Sequence, residues 1–239
     1  MGGVWERRII RPLFMSSNLN PPNLVCDSDD SLAQSVDLFQ ESPSASVVCD
    51  RSSASCSRDV FDSSAQLIGD SILRRLFERY PTFYHPFSKD TVVSGVTVAE
   101  LKKLMKRSKV HSKVILLVGV NNLLNRDEDF SVVNSLLKSL IDVLKRRCSH
   151  VFICELLPIG RSSKLHKNID MDRVNSFIRS FKGAAGVTVI PTHDAFLKDD
   201  GTINFNLFAT RIKNREDNIH PNHAGLHAIH QLIRHCLSS

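Results

Sequence analysis

No stretch of this 239-residue chain approaches the roughly 18 consecutive apolar residues of a membrane-spanning helix. The longest run, Val114 to Val118 continued through Gly119 and Val120, has the length of a strand, so the sequence does not read as an integral membrane protein. Near the N-terminus Arg7, Arg8 and Arg11 accompany only Ile9, Ile10 and Leu13 to Met15 before polar residues begin. That is too little for the apolar core of a signal peptide, which makes an intracellular, cytoplasmic location the expectation. The six cysteines, Cys26, Cys49, Cys56, Cys148, Cys154 and Cys236, include no CxxC pair. Neither zinc-finger spacing nor a disulfide framework emerges, and reduced thiols are expected. No internal repeat is present.

What is there is ordinary for a globular protein: 42% apolar and 23% charged residues, far from the composition of a wholly disordered chain. The charge is unevenly spread. Residues 1–60 hold five Lys/Arg against eight Asp/Glu, which leaves 26 against 17, an excess of nine positive charges, for residues 61–239. Such an excess permits contact with nucleic acid or anionic surfaces. From Ser16 to Asp59 the chain is rich in Ser, Asp, Asn and Pro without a period of 2 or 3.6, so residues 1–60 are expected to be a disordered, Ser-rich leader. The folded domain is expected over 61–239.

Within that domain short apolar runs alternate with amphipathic stretches. Strands are expected at Ala65–Ile68, Thr91–Val93, Lys113–Val118, Val151–Leu157 and Val187–Pro191. Helices are expected at Ser71–Tyr80, Val98–Met105, Val132–Leu144, Met171–Phe181 and Ala224–Leu237. Five strands separated by helices fit a three-layer α/β/α domain with a parallel sheet and right-handed crossovers. Ligands of such sheets sit beyond the carboxyl ends of the strands.

That rule directs attention to the residues just past each strand. After the first comes Gly69-Asp70-Ser71, a serine at the mouth of a helix, where amide groups favour developing negative charge. A serine there is also a good helix cap. After the second comes Gly95, which either offers a bare N–H to an oxyanion or only permits a turn. After the third comes Gly119-Val120-Asn121-Asn122, where Asn121 is either a second donor to the same oxyanion or a common turn residue. Before the last helix stands Asp217-Asn218-Ile219-His220, a carboxylate three residues from the imidazole that a nucleophilic serine needs. The alternative is a solvated loop with an incidental histidine, one of ten in the chain. Chelation of a metal by Asp217, His220 and His223 is a weaker option, for want of a further paired ligand motif.

In this order and at these positions, Gly-Asp-Ser, Gly, Gly-x-Asn and Asp-x-x-His resemble the SGNH/GDSL hydrolase superfamily, over Leu67 to about Leu237. The resemblance implies a doubly wound, flavodoxin-like sheet and ester hydrolysis without cofactor or metal. It implies Ser71 as nucleophile and His220 with Asp217 as the base pair. The oxyanion hole would be the amides of Ser71 and Gly95 with the side chain of Asn121. Two positions depart from the motif: Ile72 stands where Leu is frequent, and Asn122 where Asp commonly follows the oxyanion Asn. The expected partner is a small ester.

A second class stays open, because SGNH-like folds of the Oskar-type germline and retroelement-encoded branches are tied to RNA. Lys102-Lys103 with Lys106-Arg107 and Lys109, Lys145 with Arg146-Arg147, and Arg211 with Lys213 and Arg215 offer phosphate contacts or plain solvated helix faces. Aromatic residues are not interleaved with them as stacking platforms would require.

Overall fold

A computed structural model describes residues 64–212 and 214–239; the expected leader lies outside them. The first element among the described residues is strand β1, Gln66–Gly69, all four residues buried. Burial on both faces is the signature of a parallel strand covered on each side by helices, and β2 (Lys113–Leu117) and β3 (His150–Cys154) repeat it after their first residue. With β4, Val187–Ile190, they form one parallel sheet of order β1-β2-β3-β4, in which Ile68 pairs with Leu116, Ile115 with Phe152, and Ile153 with Val189.

The expected second strand, Thr91–Val93, is reduced to a single parallel bridge between Val92 and Gly69. The Gly69 amide donates to the Thr91 carbonyl and the Val93 amide to the Gly69 carbonyl, so the segment lies beside β1 as a strand would. It stops there because Gly95, at φ +75°, turns the chain away. The bridged segment lies on the outer side of β1, opposite β2, so the chain reverses its direction of winding at β1. Doubly wound sheets bind their ligands at such a reversal.

Helix α1 covers Ser71–Arg79 and α2 Val98–Met105. Short α3 spans Val120–Asn125, while α4 runs Phe130–Lys145, α5 Asn168–Arg179 and α6 His223–Ser238. Helix α4 packs against α2 and α5 on one side of the sheet, and α1 against α6 on the other. The stripe Val133, Leu137, Leu140, Ile141 and Leu144 is buried, as the helical period of those residues requires. Helix α2 begins where the sequence signals it, because Thr97 and Glu100 form a reciprocal capping box.

Two regions differ from expectation. The turn anticipated at Gly119–Asn122 is the first turn of α3, admitted by Gly119 at φ +134°. The region between Lys198 and Arg215, where no strand or helix is expected, leads into a two-stranded antiparallel ribbon, β5 (Arg211–Ile212) and β6 (Arg215–Glu216). Elements of two residues carry no periodicity to read.

Candidate active site

Four segments converge at the carboxyl end of the sheet. Helix α1 leaves β1 with Ser71 as its first residue, and its N-cap is Asp70, whose Oδ1 accepts from the Ile72 amide at 3.0 Å. The capping role that offered an alternative account of Ser71 thus belongs to its neighbour. The Ser71 hydroxyl instead donates to Nε2 of His220 at 2.9 Å, although 149 residues separate the two in sequence.

Ribbon β5/β6 delivers the other half. Directly after β6, the Asp217 amide donates to the Thr210 carbonyl and the Asn218 amide to that of Ala209, and Asn218 takes a left-handed φ of 47°. This tight path folds Asp217 back onto His220: Oδ1 accepts from Nδ1 at 2.8 Å and Oδ2 from the His220 amide at 3.0 Å. A carboxylate can only accept, so Nδ1 carries the ring proton and Nε2 presents its lone pair to Ser71. Burial pushes the Asp217 carboxyl up, but the hydrogen bonds from His220 and the nearby charges of His220 and Arg161 outweigh it and hold it below the ordinary value. Arg161 also donates from Nε to the Asp217 carbonyl and from Nη2 to that of Glu216. Nothing local in the sequence ties this guanidinium to a residue 56 positions away.

The Ser71 and Gly95 amides have no hydrogen-bond partner among the described residues, and both residues border the same cleft, as does Asn121. Asn121 lies in α3; it donates one N–H to the Val96 carbonyl at 3.1 Å, its Oδ1 accepts from Asn125, and its second N–H remains. Asn122, where the family motif commonly has Asp, is fully buried; it accepts from the Val98 amide and donates to Glu128. Its role is to tie α2 to α3. Among the described residues no group of three or more His, Cys, Asp or Glu is arranged to hold a metal ion, and no helix is long and apolar enough to cross a membrane.

The cleft, about 1420 Å³, is walled by Arg74, Arg75, Glu78 and Arg79 of α1 and by Arg211 of β5. On the other side of Ser71, His220 and Asn121 lies a small pocket of about 130 Å³, bordered by Ile72, Val120, Leu124 and Ile219. The α1 arginines belong to no motif, although their spacing from Ser71, at i+3, i+4 and i+8, is that of one helix side.

Asp70 is the second carboxyl close to His220. Desolvation raises it to about 6, against the Ile72 hydrogen bond and the charge of His220, which lower it. Its folded value lies above its unfolded one, so burying the ionised form costs up to about 3 kcal/mol at pH 7, a cost that disappears as pH falls through 6 toward 4. His230 acts oppositely. Buried against Tyr80 and Tyr84, it is lowered to about 4, chiefly by desolvation, so its neutral form contributes stability above pH 6.5 that is lost as pH falls toward 4. The two largely offset each other. Asp70→Asn, which keeps an acceptor for Ile72, is expected to raise stability at pH 7 by about 1–3 kcal/mol and to lose it on acidification more steeply than the wild type. Urea unfolding at pH 7, 5.5 and 4 reads both effects.

Residues 50–238 match the family model described as the OSK domain. No curated protein matches the chain by sequence. Among solved structures, the C-terminal domain of Drosophila Oskar is 19% identical with a TM-score of 0.58, over 73% of this chain and 88% of that one. A GDSL-like lipase from Bacteroides thetaiotaomicron is 14% identical with a TM-score of 0.60, over 74% of this chain and 88% of that one. A member of the lipolytic G-D-S-L family from Veillonella parvula is 15% identical with a TM-score of 0.55, over 73% and 98%. At such identities the likeness is one of fold.

Proposed function

Given that the chain belongs to the OSK domain family and has the fold of SGNH/GDSL hydrolases, we propose that it is a serine ester hydrolase acting by acyl transfer. The observation that supports this best is the unbroken path Asp217–His220–Ser71, with contacts of 2.8 and 2.9 Å, opening on a cleft. Ser71 Oγ attacks the ester carbonyl while His220 Nε2 takes its proton, and Asp217 stabilises the imidazolium. The carbonyl oxygen, now negative, is held by the free amides of Ser71 and Gly95 and by the second N–H of Asn121. His220 returns the proton to the departing alcohol, then activates the water that splits the acyl-serine.

A fluorophosphonate probe tests nucleophile, base and oxyanion hole in one measurement. Wild type is expected to be labelled and Ser71→Ala not; a wild type that stays unlabelled while folded overturns the proposal.

A second reading, RNA binding, is favoured by one specific arrangement. Arg147, just past α4, donates to the carbonyls of Met105 and Ser108 at the end of α2. It thereby joins two basic clusters in one place, where Lys106, Arg107, Lys109, Lys145 and Arg146 are exposed. These helix ends precede β2 and β3, so the patch lies at the amino end of the sheet, away from Ser71. Phosphate contacts there release counterions. Single-stranded RNA should therefore bind with a steep salt dependence, and replacing Lys106, Arg107 and Arg146 by Gln should lower the log–log slope by about 2. Filter binding at low and at raised salt measures it, and an unchanged slope removes this patch from the reading.

A further inference from the structure

Acyl transfer needs none of the arginines beside Ser71, yet they are built into the same helix. Ser71, Arg75 and Arg79 are four residues apart on α1, so the two guanidinium stems leave one side of the helix about 6 and about 12 Å along its axis from the serine. Glu78 is the single carboxylate of the cleft wall, and Arg74 already holds it at 2.9 Å. Half-buried Arg75 and exposed Arg79 and Arg211 have no ion-pair partner among the described residues. Arg79 lies 5.7 Å from the centre of the Tyr80 ring. Like charges at i and i+4 weaken a helix, so this row is unfavourable to the protein by itself and favourable once an anion enters. The space on the far side of Ser71, about 130 Å³, is bordered by Ile72, Val120, Leu124 and Ile219 together with Asp70, Asn125 and Arg161, and its size suits only a short acyl chain.

From these two unequal spaces we infer that the substrate is a short-chain acyl ester whose alcohol part carries a phosphate or carboxylate, received by Arg75, Arg79 and Arg211. This rests on the acyl-transfer reading. The bond formed joins Ser71 Oγ to the acyl carbon, and the bond broken is that carbon's bond to the alcohol oxygen. The proton taken from Ser71 passes through His220 to that oxygen, and the anionic alcohol leaves along the arginine row. Water then releases the short carboxylic acid and restores Ser71.

Three acetates test the inference: 4-acetoxyphenyl phosphate, 4-acetoxybenzoate and uncharged methyl 4-acetoxybenzoate. At low salt the better anionic ester is expected to exceed the uncharged one about tenfold in kcat/KM, the worth of one charge-assisted contact. The preference should shrink as salt screens the cleft, and the phosphate and carboxylate arms tell the two anions apart. In the double variant Arg75→Gln, Arg79→Gln the ratio should fall toward one; if that protein does not fold, Arg211→Gln alone should lower it. A wild-type ratio of one, or a ratio that no arginine replacement moves, overturns the inference while leaving ester hydrolysis in place. Calorimetry with 4-hydroxyphenyl phosphate and hydroquinone separates the other failure: anion-selective binding with no turnover of any acetate keeps the arginine site and removes the chemistry.

Discussion

Turnover of 4-nitrophenyl acetate by Ser71→Ala is expected to fall by about 10⁵- to 10⁶-fold, and by Asp217→Asn about 10⁴-fold, both in kcat. The difference lies in what each atom does. Without Oγ there is no acyl-enzyme, and the residual rate comes from the oxyanion donors and binding alone. With Asn at 217 the nucleophile stays, but an amide nitrogen facing Nδ1 favours the opposite ring tautomer, which points a proton at Ser71 where a lone pair is needed. Unfolding does not account for the loss in Ser71→Ala. The hydroxyl makes one contact, with His220, and the helix cap is Asp70, so the cost to stability is about 1 kcal/mol. Thermal unfolding and single-turnover kinetics of the same preparations separate the two quantities. A Ser71→Ala protein with wild-type turnover would assign the activity elsewhere.

Much of this site is legible in the sequence because its parts are local words at strand ends. Gly69-Asp70-Ser71, Gly95, Asn121 and Asp217-x-x-His220 each occupy a place that the alternation of strands and helices predicts, and the fold brings these residues to one end of the sheet. What the sequence hides is whatever depends on distant neighbours or on very short elements. The cap at Asp70 and the serine that meets His220, Ser71, differ by one residue, within the ordinary spread of helix starts. Ribbon β5/β6, which aims Asp217, has two residues per strand and no pattern to detect. Arg161 reaches Asp217 across the fold, and the Thr91–Val93 strand ends after one bridge because of a glycine conformation. The arginine row is legible in principle: it needs only the question of which α1 side chains share a side with Ser71.

The largest effect on stability is expected from a single methyl group, in Gly69→Ala. Gly69 pairs with Leu117 across β1 and β2, and a Cβ built on it would stand 2.1 Å from the Leu117 carbonyl oxygen and 3.0 Å from Leu73 Cδ1. Leu73 has rotamers to retreat into. The carbonyl has none, because it belongs to a central strand and accepts from the Asp70 amide at 3.3 Å. The strands must therefore part at the end that carries Asp70 and Ser71, and the expected cost is about 3–5 kcal/mol, or about 10 °C in Tm. Gly95→Ala is the contrasting case: nothing lies within 4 Å of its added Cβ, and only the φ of +75° is strained, which costs about 1 kcal/mol. Differential scanning calorimetry of the pair measures the difference. A Gly69→Ala protein within a few degrees of wild type would mean that this strand end yields, and that the 2.9 Å approach of Ser71 to His220 is set by something other than the close pairing of β1 with β2. If the pairing does set it, the fraction of Gly69→Ala that still folds should label poorly with a fluorophosphonate, because the strand displacement moves the serine away from His220, Gly95 and Asn121.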